Sequence, residues 1–258
     1  MEVLHRFSRM EILIGTPALE KLARSKVAVF GVGGVGSYTA EALARAGVGQ
    51  LVLVDYDDVC LTNINRQLHA LNNTIGKSKV ELMAERARLI NPKLEVTAIR
   101  EFYLPENGES LLQPDLDYAV DAMDTVTAKL DLIKRCHQTG IPVLTCMGAG
   151  NKLDPTAFQV TDIAKTSVCP LAKVMRRELR KAGIAKGIKV VYSTEPPRTP
   201  IKVEADCSTH CVCTNKEAIA NCARRRQIPG SISFVPPVAG LILAGVVVND
   251  LIADCLPG

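Results

Sequence analysis

Polar and charged side chains crowd the block DYDDVCLTNINRQLHALNNTIGKSKV, which spans residues 55–80. The side chains that could do chemistry are Asp55, Asp57, Asn63, Arg66, Gln67 and Lys79. Arginine and lysine at the mouth of a nucleotide site suit a triphosphate, because its several negative charges need cationic partners. Cleavage of a phosphoanhydride also needs cations that balance the charge developing on the phosphates. The block therefore favours ATP chemistry over hydride transfer, whose reactive ring prefers an apolar wall.

A glycine-rich loop precedes this block. Gly31, Gly33 and Gly36 form G-x-G-x-x-G directly after the apolar segment KVAVF, and Gly34 adds a further small residue. The first glycine permits a tight turn, and the second lets the backbone approach a phosphate at the start of a helix. Asp55 follows Gly36 by nineteen residues and ends a second apolar segment, so its carboxylate could accept ribose hydroxyls. The pattern predicts a nucleotide site, and the alternative is a tight turn without a ligand.

A second acidic motif, DAMDT, contains Asp121 and Asp124 at the end of another predicted strand. A carboxylate there could hold Mg²⁺, which prefers oxygen ligands. For each of these charged residues taken singly, a solvated loop position is the alternative interpretation.

The elements that must position these residues follow from the hydrophobic pattern. Predicted strands cover residues 26–30, 50–54, 94–99, 118–120 and 142–146, and predicted helices cover residues 35–46, 77–90 and 126–139. This alternation predicts an α/β fold of the Rossmann-like type, a doubly wound and mostly parallel sheet with helices on both faces. Ligands of such a sheet bind beyond the carboxyl ends of its strands.

The alternation weakens after residue 150. Weaker patterns predict strands at residues 158–163 and 190–192, a loop followed by a basic helix within residues 165–184, and a loop at residues 230–237. We therefore divide the chain into an N-terminal helical arm (residues 1–25), an ATP-binding Rossmann-like domain (26–164), and a basic region for substrate binding and dimerisation (165–258). The third region is expected to pack on the same domain.

The composition is that of an ordinary globular protein, with 258 residues, 47% hydrophobic and 22% charged. The N-terminal segment is interrupted by charges and lacks a signal-peptide pattern, so we expect a cytoplasmic protein whose nine cysteines are reduced. The apolar run Val238–Val248 is shorter than the ~20 residues of a membrane-spanning helix. It is predicted to be a buried or dimer-interface helix.

The combination GVGGVGS, LVDYDDV, N-x-x-R-Q, GKSK and DAMD resembles the ubiquitin-activating-type adenylation family, which includes ThiF, MoeB and HesA-like proteins. The resemblance implies that ATP is bound by Gly31, Gly33, Gly34, Gly36, Asp55, Asp57, Asn63, Arg66, Gln67, Lys79 and Asp124. Within this set it implies that Asp55 holds the ribose, that Asn63, Arg66 and Lys79 contact the phosphates, and that Asp124 places Mg²⁺. It also implies a homodimer in which Arg9, or failing that Arg6, reaches the partner's site. Arg9, Arg66, Lys79 and Asp124 would then be the catalytic residues of acyl-adenylate formation.

The second half of the chain narrows the resemblance. The segment DIAKTSVCPLAKVMRRELRKAGIAKGIKVVYSTEPP and the apolar helix after FVPPVAG look like the tRNA threonylcarbamoyladenosine dehydratase branch. That branch uses ATP to activate the carboxylate of threonylcarbamoyl-adenosine, a modified base beside the anticodon of tRNA, and then closes a ring with loss of water.

Other functions stay open at this point. The first is adenylation of the C-terminal Gly-Gly of a sulfur-carrier protein for thiamine or molybdopterin synthesis, with a sulfur-transfer protein as a possible partner. Such activators usually carry two C-x-x-C pairs, and this sequence has none. The others are an NAD-dependent oxidoreductase and a tRNA-binding scaffold without activity.

A basic cluster supports an RNA partner independently of the resemblance. Seven cations fall within seventeen residues, with Glu178 as the only acid: Lys173, Arg176, Arg177, Arg180, Lys181, Lys186 and Lys189. Arg224, Arg225 and Arg226 follow. Such clusters suit contact with a phosphate backbone, and the alternative is a solvated helix face.

The cysteines offer two further possibilities. Cys207, His210, Cys211, Cys213 and Cys222 could bind zinc, although their spacing is not a standard one and ordinary reduced thiols are the alternative. Cys169 could be a nucleophile that accepts the acyl group as a thioester, or a plain buried thiol.

Overall fold

The computed structural model describes residues 4–201 and 229–256. Its centre is a seven-stranded sheet with the order β3-β2-β1-β4-β5-β7-β6. The strands are β1 (Lys26–Phe30), β2 (Gln50–Val54), β3 (Glu95–Ile99), β4 (Tyr118–Asp121), β5 (Val143–Cys146), β6 (Phe158–Asp162) and β7 (Lys189–Ser193). Neighbouring strands are parallel except at the edge, where β6 runs antiparallel to β7. The predicted fold class, a Rossmann-like and mostly parallel α/β sheet, is confirmed.

Helices cover both faces of this sheet. The helices of the described ranges are α1 (Ser8–Arg24), α2 (Gly36–Arg45), α3 (Lys79–Ile90), α4 (Gly108–Leu111), α5 (Val126–Thr139), α6 (Pro170–Lys181) and α7 (Val235–Leu251). Side chains of β1 alternate between the two faces: Val27 and Val29 pack in one core with α1, α2, α3 and α7, whereas Ala28 and Phe30 pack in another with α4 and α5. Because both faces are covered, the central strands are apolar throughout rather than alternating.

The strand order reverses at β1, since β2 and β3 lie on one side of it and β4, β5 and β7 on the other. Adjacent loops therefore leave the sheet in opposite directions beyond the carboxyl ends of β1 and β4. A crevice forms at such a switch point, and doubly wound folds bind their ligands there. The glycine loop follows β1 and the DAMDT motif includes the end of β4, so both motifs lie at this crevice.

Two differences from the sequence-based prediction follow from prolines and a glycine. The loop predicted for residues 230–237 ends earlier, because α7 begins at Val235 with prolines in its first turn, where a missing N–H costs no helical hydrogen bond. The N-terminal arm is helical but kinked: Gly15 adopts φ +78° inside α1, and Pro17 follows it. Proline cannot donate the N–H that a straight helix would need there.

The apolar run Val238–Val248 lies within α7, which packs tightly on α2. A Cβ added at Gly240 would come within 2.3 Å of the Val35 carbonyl oxygen, so the two backbones approach closely. In the described ranges, none of the helices has both the length and the apolarity required to cross a bilayer.

Candidate functional site

The glycine loop is pressed against the end of β4. Gly31 adopts φ +87°, and a Cβ there would lie 2.8 Å from the carbonyl oxygen of Ala122. A Cβ at Gly36 would lie only 1.8 Å from the carbonyl oxygen of Gly31. Glycine is therefore required at both positions, the first for its left-handed backbone and both for space. The resulting turn brings the N-terminus of α2 to the crevice, where its free N–H groups can meet phosphate oxygens.

Asp55 ties the glycine loop to the end of β2. Its Oδ2 accepts a hydrogen bond from the Val32 N–H at 2.7 Å, and its Oδ1 accepts one from the Asp57 N–H at 2.9 Å. Burial raises the pKa of the Asp55 carboxyl, against the opposing effect of the Lys79 ammonium. The predicted ribose ligand therefore sits beside the loop and also orders it.

Lys79 is the cation at the centre of the site. Its Nζ lies 2.7 Å from Oδ2 of Asp57, and the lysine side chain is 6% exposed whereas the aspartate side chain is 40% exposed. Burial alone would lower the pKa of the Lys79 ammonium. The nearby carboxylates of Asp55, Asp57 and Asp124 have the larger opposite effect, so the pKa is raised. The structure thus brings together four of the predicted residues, which come from the ends of β2 and β4 and from the start of α3.

The loop between β2 and α3 covers the glycine loop. Cγ of Arg66 lies 3.3 Å from the position that a Gly34 Cβ would take, and Nη1 of Arg66 donates to the Thr62 carbonyl oxygen at 2.8 Å. Asn63 accepts a hydrogen bond from the Cys60 N–H at 3.1 Å, so it shapes the loop. Gln67 is buried, and its Oε1 has no hydrogen-bond partner among the described residues. A bound nucleotide or water could supply that missing donor.

Asp121 lies at the end of β4, as the sequence predicts, but its side chain is not open to the crevice. Its side chain is fully enclosed, and its Oδ2 lies 2.9 Å from Nζ of Lys129, which is also fully enclosed. The hydroxyl of Thr145 donates to the same oxygen. With these partners Asp121 is a structural residue, so the prediction that it could hold Mg²⁺ is wrong. Asp124 is exposed beyond the end of β4.

The N-terminal arginines lie away from the crevice of their own chain. Nη1 of Arg6 donates to the Ile90 carbonyl oxygen at 2.7 Å, at the end of α3. The ring of Phe7 packs at Gly47, which follows α2. Both contacts are at the end of the helices opposite the glycine loop. Arg9 is exposed in the first turns of α1, and its role in a partner's site stays a prediction.

Sequence reasoning missed His69, which is buried beside Lys79. Neither ring nitrogen has a hydrogen-bond partner among the described residues. Burial, with a further contribution from the Lys79 ammonium, lowers the pKa of His69 to about 3. The imidazole is therefore neutral at ordinary pH. The motif LHAL in which it lies carries no signal beyond a polar residue among apolar ones.

Some cations of the basic cluster are partly buried and bonded to other residues, whereas others are exposed to solvent. Nη1 of Arg176 donates to the Thr166 carbonyl oxygen at 2.8 Å, and Nζ of Lys189 lies 2.6 Å from Asp250. The cations that are exposed on α6 and the loop after it are Lys173, Arg177, Arg180, Lys181 and Lys186. Arg177 and Lys181 both pair with Glu178. The remaining candidates of the sequence, Arg224–Arg226 and the cluster Cys207, His210, Cys211, Cys213 and Cys222, lie outside the described residues.

Cys169 is buried where α6 begins, and its Sγ lies 3.9 Å from the position that a Gly148 Cβ would take. The five cysteines of the described ranges are free thiols. In these same ranges, His, Cys, Asp and Glu side chains form no group of three or more that could hold a metal ion.

Comparisons with known proteins agree with this geometry. The chain is 50% identical over 252 residues to tRNA threonylcarbamoyladenosine dehydratase of Bacillus subtilis, covering 98% of this chain and 96% of that protein. The crystal structure of Escherichia coli tRNA N6-threonylcarbamoyladenosine dehydratase, TcdA, in complex with ATP superimposes with a TM-score of 0.83 at 37% identity, covering 96% of this chain and 94% of that one. The sulfur carrier protein ThiS adenylyltransferase of E. coli is 32% identical over 149 residues, 56% of this chain and 58% of that protein.

The model of the ThiF family matches residues 7–254, which include the N-terminal arm, the nucleotide crevice and α7. Because that match spans nearly the whole chain, the protein belongs to the ThiF family.

Proposed function

We propose that this protein is an ATP-dependent, adenylate-forming tRNA nucleoside dehydratase that cyclises threonylcarbamoyl-adenosine next to the anticodon. The observation that carries the proposal is the extent of the match to the B. subtilis dehydratase, 98% of this chain at 50% identity. The match to the sulfur-carrier activator covers only 56% of the chain. Similarity to the dehydratase thus extends beyond a shared nucleotide fold into the basic region.

The first step is adenylation of the substrate carboxylate. A carboxylate oxygen attacks the α-phosphorus of ATP, the bond to the bridging oxygen breaks, and pyrophosphate leaves. Lys79 and Arg66 balance the charge that develops on the phosphates. Backbone N–H groups of the glycine loop bind the phosphate oxygens. Asp55 orients the ribose. Removing such a cation lowers the rate of the chemical step, because negative charge develops on the pyrophosphate leaving group.

Asp124 fits the role of magnesium ligand. It is exposed at the crevice and acts electrostatically on Lys79, so its carboxylate lies within the charged cluster, and oxygen ligands are those that Mg²⁺ prefers. The ion, when bound, would neutralise phosphate charge. Asp57, which is partly exposed, holds Lys79 in place beside it.

The second step is ring closure within the same nucleoside. A nucleophilic atom of the threonylcarbamoyl group attacks the activated acyl carbon, the acyl–phosphate bond breaks, and AMP leaves with the oxygen. The nucleophile then loses its proton, so the nucleoside has lost one water in total. Because the nucleophile is already attached to the acyl group, no external acceptor is consumed.

The exposed cations of α6 support a tRNA-binding face. Lys173, Arg180 and Lys186 are exposed and lie on or just beyond one short helix. Contacts of this type give affinity that falls steeply with salt, and they position the RNA without reading its sequence. Base selection then depends on residues at the crevice.

A homodimer is the second part of the proposal. Ile12 is 85% and Leu13 82% exposed on α1, an apolar surface beside Arg9 that a second copy would cover. Arg9 would then reach the partner's crevice as a cation for the triphosphate. The predicted cytoplasmic location is part of the same proposal and depends on the tRNA substrate.

Conversion of the nucleoside tests the proposal directly. Purified protein is incubated with ATP, Mg²⁺ and tRNA carrying threonylcarbamoyl-adenosine. The tRNA is then digested to nucleosides, and their masses are measured by mass spectrometry. We expect a mass loss of one water that depends on ATP. Asp124→Ala should abolish most of it, whereas Lys93→Met, at an exposed lysine remote from the crevice, should not. Unchanged nucleoside despite ATP binding would refute the substrate assignment.

The alternative of sulfur-carrier activation makes a different prediction. ATP–pyrophosphate exchange would depend on a small protein ending in Gly-Gly and not on tRNA. The same preparation with the two substrates supplied separately distinguishes these functions.

A further inference from the structure

Three lysines of the described ranges are buried: Lys79, Lys129 and Lys152. The first two have an aspartate within 3 Å, at 2.7 Å for Lys79 and 2.9 Å for Lys129. Lys152 is 4% exposed, yet its Nζ has no carboxylate partner in the described ranges and donates only to the backbone carbonyl oxygen of Glu195. A buried ammonium normally requires an anion. Among the described residues, Lys152 is therefore the buried lysine that has no paired carboxylate.

The neighbouring carboxylate is occupied elsewhere. Both oxygens of Glu195 accept the N–H of Leu153 at 3.0 and 3.1 Å, and Oε2 also accepts that of Asp154 at 2.9 Å. Glu195 thus orders the chain after Lys152 instead of neutralising it. Burial lowers the pKa of the Lys152 ammonium, while Cys169 and Glu195 oppose that shift. These two are the titratable groups that act on it.

The backbone around Lys152 is held in a defined shape. Asn151 adopts φ +59°, a left-handed conformation that asparagine tolerates better than most other non-glycine residues. Its N–H donates to the Gly230 carbonyl oxygen at 2.8 Å, and its Oδ1 accepts the Gly230 N–H at 2.6 Å. Left-handed residues that the surroundings hold in place are typical of functional sites.

The same contacts connect Lys152 to the nucleotide crevice. The loop containing Lys152 follows β5, whose carboxyl end lies beside that of β4. From Gly230 the chain runs to Ser231, whose carbonyl oxygen accepts a hydrogen bond from Asn65 at 2.9 Å. It then reaches Pro236, which lies 3.2 Å from the Cβ position of Gly34. A chain of contacts thus runs from the glycine loop to Asn151, the residue before Lys152.

A second source of positive potential lies at the same place. The twelve-residue helix α6 begins beside Gly148, and its N-cap, Cys169, makes no side-chain capping hydrogen bond. The N-terminus of a helix carries a partial positive charge that favours an anion. The buried ammonium and the helix terminus both favour a carboxylate at the substrate end of the crevice.

We propose that Lys152 binds the free carboxylate of the modified nucleoside and positions it for attack on the α-phosphorus of ATP. The inference rests on the proposed function and identifies how its substrate is selected. Unmodified adenosine has no such carboxylate, so it would leave Lys152 without an anion. Selection for the modified base then comes from one buried charge, and general affinity for tRNA comes from the basic face of α6.

Binding of two matched RNAs tests this role. An anticodon stem-loop carrying threonylcarbamoyl-adenosine and the same stem-loop with plain adenosine are titrated against wild type, Lys152→Met and Lys152→Arg, with ATP affinity measured in parallel. We expect Lys152→Met to lose about 10- to 100-fold of the preference for the modified RNA, the size of a charged hydrogen bond. Its affinities for ATP and for the unmodified RNA should stay within about twofold of wild type. Lys152→Arg, which keeps the charge, should retain most of the preference.

An unchanged preference in Lys152→Met overturns the inference. Equal losses for both RNAs and for ATP also overturn it, because they show a structural role instead. Lys93→Met, the same change at an exposed lysine, controls for a general loss of positive charge. The inference and the proposed function fail separately: absence of nucleoside conversion by the wild type refutes the function, whereas conversion with full preference in Lys152→Met refutes only the role of Lys152.

Discussion

Two aspartate–lysine pairs lie at the carboxyl ends of strands in the same sheet, and they differ in exposure. Asp121 and Lys129 are both fully enclosed, with Nζ and Oδ2 2.9 Å apart. Asp57 and Lys79 are as close, at 2.7 Å, but the aspartate side chain is 40% exposed. The chemical groups are the same in both pairs. The open pair is accessible to a ligand, whereas the enclosed pair contacts only other residues of the protein.

The contrast shows that residue type and strand position do not decide the role of a charge. In an enclosed pair, the attraction between the two ions mainly offsets the free energy needed to remove both of them from water. A half-open pair keeps a solvated carboxylate and a cation whose partners can change when a ligand arrives. We propose that Asp57–Lys79 belongs to the chemistry, and Asp121–Lys129 holds β4, β5 and α5 together.

The largest effect on stability should come from breaking the enclosed pair. Lys129→Met leaves the Asp121 carboxylate buried without its cation, so we expect the free energy of unfolding to fall by about 3–5 kcal/mol. Chemical denaturation measures this. The double change Asp121→Asn with Lys129→Met should recover part of the loss, since it removes the stranded charge. A single variant as stable as wild type would break the comparison.

The corresponding change in the open pair should act on catalysis. Lys79→Met removes a cation from the proposed triphosphate site, and we expect nucleoside conversion to fall by about 100- to 1,000-fold. Single-turnover rates at saturating ATP measure this effect, with circular dichroism as the control for folding. If the Lys79 variant lost only stability while the folded fraction kept its rate, the open pair would be structural as well.

The histidine beside the open pair should make stability depend on pH. The pKa of His69 is about 3 in the folded chain against 6.5 when unfolded, so the stability it contributes is present above pH 6.5 and is lost as pH falls toward 3. In that window the unfolded state binds a proton that the folded state does not. The slope reaches about 1.4 kcal/mol per pH unit.

His69→Leu should remove this part of the curve while leaving stability near neutral pH little changed or higher, because its ring nitrogens have no partners among the described residues. The measurement is the denaturation midpoint of wild type and variant at pH values between about 4 and 8. This range includes the pH at which the histidine of the unfolded chain titrates. Parallel curves would show that folding leaves the pKa of His69 unchanged, and they would contradict this prediction.

A third group of paired charges, in which the arginines are the exposed members, should matter least. Glu41 contacts both Arg86 and Arg45, each at 2.7 Å, across α2 and α3. Arg86→Met should lower the free energy of unfolding by less than about 1 kcal/mol, because solvent screens the guanidinium and Arg45 keeps its contact. Thermal unfolding measures it. A loss as large as that of Lys129→Met would mean that enclosure is not what separates the pairs.

Much of the fold was predictable because the pattern is local. The strands Lys26–Phe30 and Gln50–Val54 and the helix Val126–Thr139 have the predicted bounds. Apolar runs and turn residues carry that information within a few positions. The short helix Gly108–Leu111 was not predicted, because four residues are too few to show a helical period.

The site was predictable in part. Gly31, Gly36, Asp55 and Lys79 come together as their motifs indicate, since the glycine loop and the strand ends are consecutive in a doubly wound fold. The burial of Asp121 was not predicted, although Lys129 gave a signal: this lysine lies four residues before the buried Ile133 on the inner face of its helix. Lys152 carried no signal, because its burial depends on segments around residues 169, 195 and 230.

The sequence by itself determined the sheet, the phosphate-type loop and the residues close to it, because each depends on neighbours a few positions away. Only the tertiary structure decided which charges are enclosed, which are open and which lack a partner. Burial is a property of what packs against a side chain, and the partners of these lysines lie between eight residues away, for Asp121 and Lys129, and 43, for Lys152 and Glu195. The different roles of Lys79, Lys129 and Lys152 arise from that packing, although all three are the same residue type.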